Sequence, residues 1–356
     1  MNDTIRLTQF AHGAGCGCKI APQVLQEILQ HTTSGVNDAN LLVGNSTNDD
    51  AAVYSIGNEQ ALIATTDFFM PIVDDAFDFG RIAAANAISD VYAMGGRPIL
   101  ALAVMGFPID KLPVQTAQQI LAGARAICAE AGIVLAGGHT IDSPEPIFGL
   151  SVNGLVNEQQ LLRNNTACDG DYLVLTKPLG VGILATAEKR QLLLDEHRGL
   201  AVKSMVELNK IGMELGAIAG VNALTDVTGF GLAGHLLELC EGSGMAATLS
   251  WQDLPMITDL NVYLSQNCIP DATYRNWNGY SNKVKWGAGV PVMQGFQLLP
   301  DPQTSGGLLI AVSEAALKTV QQVLIAHGKA DFIKPIGRLH QAASPSIQVN
   351  LTLEGV

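Results

Sequence analysis

The chain has 356 residues, of which 48% are hydrophobic and 15% charged, and its formal net charge is −13 at pH 7. This length predicts two domains of ~150 residues or more each, and the high apolar content argues against a disordered chain. The acidic balance argues against binding to duplex nucleic acid, so we expect no nucleic-acid partner.

The N-terminal half is predicted to alternate strands with helices. Its clearest element is a helix over 113–131, where apolar residues recur at helical spacing and Gly132 supplies a stop signal. Residues 80–94 predict a second helix, rich in small and apolar side chains. Further elements are predicted as a helix from Pro22 and strands over 42–43, 61–66, 98–104, 133–136 and 148–156.

A polar stretch over 157–171 is the best candidate for a linker, since it contains turn-forming Asn and Asp-Gly sequences. We therefore predict an N-terminal domain over 1–157, with a mobile loop at 12–20, and a C-terminal domain over 158–356. In the C-terminal domain, strands are predicted over 172–176 and 308–312, with a further strand that ends at Asp226. Helices are predicted over 181–193, 200–218 and 313–327, with a further helix between Gly229 and Gly242. The region 251–300 is predicted to be irregular.

The sequence predicts a cytoplasmic protein without a membrane partner. The first ten residues are polar and lack the apolar stretch of a signal peptide. The longest apolar run, 98–109, is shorter than the ~20 residues that a membrane helix needs. Four of the six cysteines are scattered singly, which does not suggest a disulfide scaffold.

The other two cysteines lie in a glycine-rich segment, His-Gly-Ala-Gly-Cys-Gly-Cys-Lys over 12–19. Its spacing excludes a phosphate-binding P-loop, because Ile20 stands where a hydroxyl side chain should follow Lys19. Zinc is disfavoured, since no second Cys or His pair lies at ligand spacing. Two interpretations remain open: a mobile tail with incidental thiols, or a nucleophilic or chalcogen-binding thiol that Lys19 favours as thiolate.

Aspartates at the ends of apolar segments are a second group of candidate site residues, after the glycine-rich cysteine segment. Taken singly, each is explained as a helix cap or a turn residue. Brought together they would repel one another, unless a hard cation such as Mg²⁺ bound their oxygens and bridged them to phosphate. On the 80–94 helix, Asn86 and Asp90 share one face. The aspartates concerned are Asp49, Asp50, Asp67, Asp90 and Asp226.

Glycine-rich turns are a third group of candidate site residues. Four of them adjoin predicted strands, and their backbone N–H groups are suited to phosphate oxygens. An ordinary tight turn explains any one of them, and His139 is equally explained as a loop histidine without a ligand. They lie at 137–140, 177–182, 228–231 and 304–307.

These motifs, in this order, closely resemble selenophosphate synthetase, or selenide, water dikinase. The Gly-Cys-Gly-Cys-Lys segment distinguishes that family from the wider aminoimidazole-ribotide-synthetase-like superfamily. The resemblance extends from about residue 5 to about 340. It implies a ferredoxin-like α/β N-terminal domain, an α+β C-terminal domain and a homodimer paired through the N-terminal sheets. The motifs are 12–19, 49–53, 66–69, 86–90, 137–140, 225–231 and 301–307.

The resemblance also implies the reaction: ATP, selenide and water give selenophosphate, AMP and orthophosphate, with Mg²⁺ and K⁺ as cofactors. It implies Cys16 and Lys19 as the essential residues of the mobile loop, and ATP and selenide, or a protein-delivered selenium donor, as partners. The implied magnesium ligands are Asp50, Asp90 and Asp226. The implied nucleotide contacts are Lys19, Thr47, Asn48, Asp49, Asp67, Asp90, Gly138, His139 and Thr140.

Two other functions remain open at this point. One is another ATP-using enzyme on the same scaffold, such as a thiamine-phosphate kinase or a purine-pathway synthetase, which has no need for the Gly-Cys-Gly-Cys-Lys segment. The other is a non-catalytic thiol-based carrier of metal or selenium, which leaves the aspartates unexplained. The products separate them: AMP indicates the dikinase, ADP a simple kinase, and no turnover a carrier.

Overall fold

The computed structural model describes residues 5–19, 24, 27–28, 38–44 and 49–353. The helix predicted from Pro22 lies mostly outside these residues, and so do Thr47 and Asn48. In the described part, the chain forms a six-stranded sheet followed by a seven-stranded sheet, each flanked by helices. The predicted mixed class of α/β and α+β units is thereby confirmed.

The first sheet has the strand order β1-β2-β3-β6-β4-β5. All neighbours pair antiparallel except β4 and β5, which are parallel and joined through the helix Val114–Ala131. Along β3, side chains alternate between the helix-covered face and an exposed face, so Asp67 and Phe68 point in opposite directions. The strands are β1 (Leu41–Val43), β2 (Ala52–Gly57), β3 (Gln60–Phe69), β4 (Arg97–Phe107), β5 (Val134–Asp142) and β6 (Ile147–Asn157).

The helix Ala76–Ala93 covers this sheet and is almost wholly buried from Phe79 onward. Asp75 caps its first turn by accepting a hydrogen bond from the Asp78 amide at 2.8 Å. Small side chains let it lie close to the helix Val114–Ala131. At the closest approach, a Cβ on Gly80 would lie 1.9 Å from the Ile120 carbonyl oxygen.

The second sheet has the order β10-β13-β9-β12-β7-β11-β8. Its strand β11 is buried at every position and pairs antiparallel with both β7 and β8, so the core of this unit is built around it. The strands are β7 (Tyr172–Leu175), β8 (Val221–Asp226), β9 (Met245–Ser250), β10 (Val284–Trp286), β11 (Leu308–Val312), β12 (Gly337–Gln341) and β13 (Ile347–Asn350).

The α-helices of this unit are Val181–Lys189, Leu200–Val206, Gly212–Leu215, Gly231–Ser243, Asn261–Leu264, Asp271–Tyr280, Val292–Leu298 and Glu314–Ala326. The region 251–300, predicted to be irregular, therefore contains three short helices and a strand. No described helix is both long enough and apolar enough to cross a bilayer.

Three further sequence predictions of local structure are wrong. The helix predicted over 200–218 is two short helices, and the break places the buried Asn209 side chain against Ser89. The helix predicted over 181–193 ends at Lys189, since Gln191 adopts a positive φ of 60°. The turn predicted over 137–140 is part of strand β5. A Cβ on Gly138 would lie 2.1 Å from the Ala103 carbonyl oxygen, so this glycine permits close pairing of the strands.

The two units meet along the helix Ala76–Ala93. Its C-terminal half packs on the second unit so closely that a Cβ on Gly212 would lie 2.1 Å from the Tyr92 carbonyl oxygen. Polar side chains near this contact join the units, since Ser89 donates a 2.5 Å hydrogen bond to Asp226 at the end of β8. The helix therefore belongs to the N-terminal unit and forms one wall of the junction.

We predict that Gly80→Ala lowers the free energy of unfolding by about 1–3 kcal/mol, the usual cost of overpacking. The added methyl would clash with backbone, which side-chain rotation cannot relieve. Urea denaturation of the whole chain measures this for both variants. Gly279→Ala is the control, because nothing lies within 4 Å of its added Cβ and alanine favours a helix. Equal stability of both variants would contradict the close helix contact.

Candidate active site

The glycine-rich segment is packed into the junction between the two units. The Cys16 amide donates a hydrogen bond to the Thr304 hydroxyl at 3.0 Å, and the Gly15 amide donates one to the Met70 carbonyl at 3.0 Å. Glycines provide the space, since a Cβ on Gly229 would lie 2.6 Å from the Cys16 carbonyl oxygen. Both units thus hold the segment, and the Cys16 side chain is buried beneath it.

Asn86 connects the thiol to the rest of the site. Its Oδ1 accepts hydrogen bonds from the Cys16 thiol at 3.2 Å and from the Ser305 amide at 2.8 Å. Its Nδ2 donates to Asp67 Oδ2 at 2.5 Å. This fully buried amide therefore fixes the positions of the thiol, the 304–307 turn and a carboxylate together.

The Cys16 thiol is protonated in this arrangement. Burial raises its pKa well above the usual range, although the nearby charge of Lys19 acts in the opposite direction. The sequence-based hypothesis that Lys19 favours the thiolate is thus right in sign, but desolvation outweighs this effect. The Cys16 thiol donates a hydrogen bond to Asn86 Oδ1, which is consistent with a neutral thiol.

Lys19 faces the carboxylates. Its Nζ lies 3.7 Å from Asp67 Oδ1 in a partly exposed ion pair. The charge of Asp67 raises the pKa of Lys19, with smaller contributions in the same direction from Cys16, Asp90 and Asp226. Cys16, Lys19 and Asp67 therefore lie together in the structure.

Hydroxyl groups orient the three carboxylates predicted to bind magnesium. Thr65 donates to Asp90 at 2.5 Å, Ser89 to Asp226 at 2.5 Å and Thr225 to Asp50 at 2.9 Å. Asp90 follows Asn86 by one helical turn, as their spacing predicts. The structure brings all three aspartates to the junction, from the helix Ala76–Ala93, from the end of β8 and from the segment before β2.

These carboxylates share an unfavourable electrostatic environment. Burial raises the pKa of Asp50 well above its usual range, with further contributions from Asp226, Asp49 and Asp90. Burial likewise raises the pKa of Asp90 and of Asp226. Asp49 lies beside them, and burial raises its pKa to about 6. Like charges held this close are stabilised by a bound cation.

The donor set is suited to a hard divalent cation. Oδ2 of Asp49 and Oδ2 of Asp50 are buried without a hydrogen-bond partner, so each has lone pairs available for a ligand. Among the described residues, no three His, Cys, Asp or Glu side chains form a preassembled metal site. Mg²⁺ commonly takes only one or two carboxylates and completes its shell with water and substrate phosphates, which agrees with this arrangement.

The residues predicted to contact the nucleotide do not all lie together in the structure. Asp49, Asp67 and Asp90 lie at the junction, whereas Thr47 and Asn48 are outside the described residues. Gly138, His139 and Thr140 are exposed on β5, separated from β3 by strands β6 and β4. At ~4.8 Å between strands, this is about 14 Å along the sheet.

Several site residues are not predicted by the sequence. Helical spacing puts Asn86 on the same face as Asp90 but does not assign it to the site, and Thr304 and Ser305 are predicted only as part of a turn. The helical spacing was a usable signal for Asn86. The hydroxyls of Thr65, Ser89 and Thr225 carried no such signal, because isolated Ser and Thr residues are common in any sequence.

Comparison with known proteins identifies the family. Two family models match the chain. Residues 48–156 match the model "AIR synthase related protein, N-terminal domain", and residues 169–350 match "AIR synthase related protein, C-terminal domain". Selenide, water dikinase of Photorhabdus laumondii subsp. laumondii is 52% identical over 351 residues, 99% of each chain. The chain belongs to the selenide, water dikinase family. The same-named protein of Yersinia pseudotuberculosis serotype I is 55% identical over 340 residues, 96% of each chain. The resemblance seen in the motifs is confirmed.

Solved structures show the same fold at low identity. Thiamine-monophosphate kinase from Stenotrophomonas maltophilia K279a is 19% identical with a TM-score of 0.62, covering 93% of this chain and 96% of its own. Hydrogenase maturation protein HypE in complex with ATP is 18% identical with a TM-score of 0.62, covering 98% and 96%. The fold is thus shared by proteins with different names.

We predict that iodoacetamide labels Cys16 more than about tenfold more slowly than Cys168 at pH 8, because burial limits both access and the thiolate fraction. Lys19→Met should slow the labelling of Cys16 further, because it removes the positive charge that lowers the pKa of the thiol. Mass spectrometry of timed samples gives both rates. In urea the two thiols should react alike. Native labelling of Cys16 as fast as that of exposed Cys168 would contradict the docked position.

Proposed function

We propose that this chain is a selenide, water dikinase, which converts ATP, selenide and water into selenophosphate, AMP and orthophosphate. The observation that carries the proposal is the convergence of the Cys16–Lys19 segment with Asp67 and the buried aspartates at one junction. Relatives of that name match over nearly the whole chain. The γ-phosphoryl group goes to selenium, and the β-phosphate is then released by water.

The thiol segment performs two tasks in this proposal. Cys16 positions hydroselenide, HSe⁻, through a hydrogen bond from its thiol, with no S–Se bond and no change of oxidation state. The selenium then forms a bond to the γ-phosphorus as the bond to ADP breaks, while Lys19 stabilises negative charge on phosphate oxygens. Asn86 holds the thiol at its place beside Asp67. The packed segment also covers the junction, and excluding bulk water protects a reactive intermediate from early hydrolysis.

The aspartates Asp50, Asp90 and Asp226 are proposed to hold Mg²⁺, which when bound neutralises charge on the transferring phosphates. Hydrogen bonds from Thr225, Thr65 and Ser89 hold the three carboxylates in fixed orientations. ATP carries several negative charges, and this arrangement makes it an acceptable ligand for an acidic protein. The role of K⁺ and a cytoplasmic location stay predictions.

A homodimer is proposed through the outer face of the N-terminal sheet. Residues 1–157 would then form the nucleotide-binding and dimerisation domain, and 158–356 the C-terminal domain. Apolar side chains exposed on the sheet support this: Tyr54, Ile56, Phe68, Leu102, Val134 and Ile141.

The deciding experiment is phosphorus NMR of an anaerobic reaction that contains ATP, Mg²⁺ and selenide. We expect a phosphorus resonance coupled to selenium, with AMP accumulating. Cys16→Ser should lower this product at least about a hundredfold, the scale for loss of a group at the reacting atoms, while nucleotide binding persists. Cys168→Ser is the control and should behave as wild type. ADP as the final product would overturn the proposal.

We further predict that Asp226→Asn raises the Mg²⁺ concentration needed for half-maximal binding of a non-hydrolysable ATP analogue by about tenfold, equivalent to about 1.4 kcal/mol. The isosteric amide preserves the shape of the site but removes one ligand charge. Calorimetric titration at several Mg²⁺ concentrations measures the effect. Asp331→Asn, an exposed carboxylate elsewhere, serves as the control. An unshifted midpoint would remove Asp226 from the ligand set.

A further inference from the structure

A cavity of about 660 Å³ lies against the thiol segment, on the side that Cys18 faces. Its volume is within the range of small-molecule sites. The lining includes Cys18 and Lys19 from the segment, and Lys189, Arg190 and Arg275 from the C-terminal unit. Cys16 does not line it, so the segment separates this cavity from the buried thiol.

The cavity is strongly cationic in a chain whose net charge is −13. Arg275 donates to the Gly17 carbonyl at 2.6 Å, and Arg190 donates to the Asn267 carbonyl at 2.6 Å. A carbonyl is neutral, so neither bond cancels the guanidinium charge. Within the described lining, Asp271 is the one carboxylate that faces these cations.

The two sides of the segment therefore suit different ligands. The side of Cys16 carries carboxylates suited to a magnesium–phosphate complex. The side of Cys18 carries cations, which favour a small anion that brings no metal. Under the proposed function, the second substrate is such an anion, since selenide exists at neutral pH mainly as hydroselenide, HSe⁻.

We propose that this cavity binds hydroselenide before it reaches Cys16. The proposal rests on the proposed function and extends it to the place where the second substrate is gathered. Cys18 is two residues from Cys16, so their Cα atoms lie about 7 Å apart at most. Arg275 contacts both the cavity and the backbone of Gly17, which lies between the two thiols. An anion held there is one short step from the reacting site.

The kinetic test uses a charge-reversed double variant, Lys189→Glu with Arg190→Glu, in anaerobic assays with hydroselenide. We expect the KM for hydroselenide to rise about tenfold, the low end of electrostatic focusing effects, while kcat and the KM for ATP change less than about twofold. In wild type, added NaCl at a fixed K⁺ concentration should raise the same KM, and in the variant this dependence should be weaker.

The matched control reverses two exposed lysines outside the cavity, Lys285→Glu with Lys318→Glu. It carries the same change in net charge and should keep the wild-type KM for hydroselenide. An unchanged KM in the cavity variant overturns the proposal. An equal rise in the control variant also overturns it, because net charge and not the cavity would then govern binding.

A second measurement needs no turnover. Cys18 is alkylated in parallel with iodoacetate, an anion, and with neutral iodoacetamide, and the ratio of the two rates reports the local potential. We expect the cavity variant to lower this ratio about tenfold, with no change at the exposed Cys168. An unchanged ratio overturns the anion site even if the wild type makes selenophosphate. A lowered ratio without selenophosphate from wild type overturns the proposed function instead.

Discussion

The mutual repulsion of buried carboxylates is the constraint on which this molecule depends. Asp50, Asp90 and Asp226 come from distant parts of the chain. In addition to the effect of burial, the charges of Asp226 and Asp90 raise the pKa of Asp50, and Asp226 also raises the pKa of Asp90. Packing of the two units must offset this repulsion. The close contacts at Gly80 and Gly212 hold the helix Ala76–Ala93, which carries Asp90, firmly against both units. A fold that was only loosely packed here would separate the charges.

The helix Ala76–Ala93 connects the packing of the two units to the geometry of the site. One turn of it carries Asn86, Ser89 and Asp90, which contact respectively the thiol segment, the second unit and strand β3. Any shift of this helix would therefore disturb three parts of the site together. Preorganisation by rigid elements of this kind is what a reaction with a short-lived intermediate requires.

Much of the site was predictable because its residues lie in compact local motifs. The spacing of Asn86 and Asp90 predicted a shared face, and the Gly-Cys-Gly-Cys-Lys segment predicted a thiol beside a cation. What the sequence did not predict depends on contacts across the chain. Cys16 is buried between the two units, and its amide bonds to Thr304 of the second. The break after Val206 is explained by the hydrogen bond of Asn209 to a helix of the other unit.

The glycine-rich stretch 137–140 shows a different limit. Glycines usually indicate a turn, but Gly138 allows β5 to lie against the Ala103 backbone, where β4 itself is irregular between Ala101 and Leu102. A pattern of residue types does not distinguish these two uses of glycine. The distinction is made by the neighbouring strand, which is remote in sequence.

The docked position of Cys16 also bears on how the protein survives oxidants. Peroxides attack thiolates far more readily than neutral thiols, and a sulfinic acid would be irreversible damage. With its proton directed at Asn86 and its sulfur covered, Cys16 is shielded from that chemistry, whereas Cys18 remains partly accessible. The docked segment thus protects the Cys16 sulfur from oxidation.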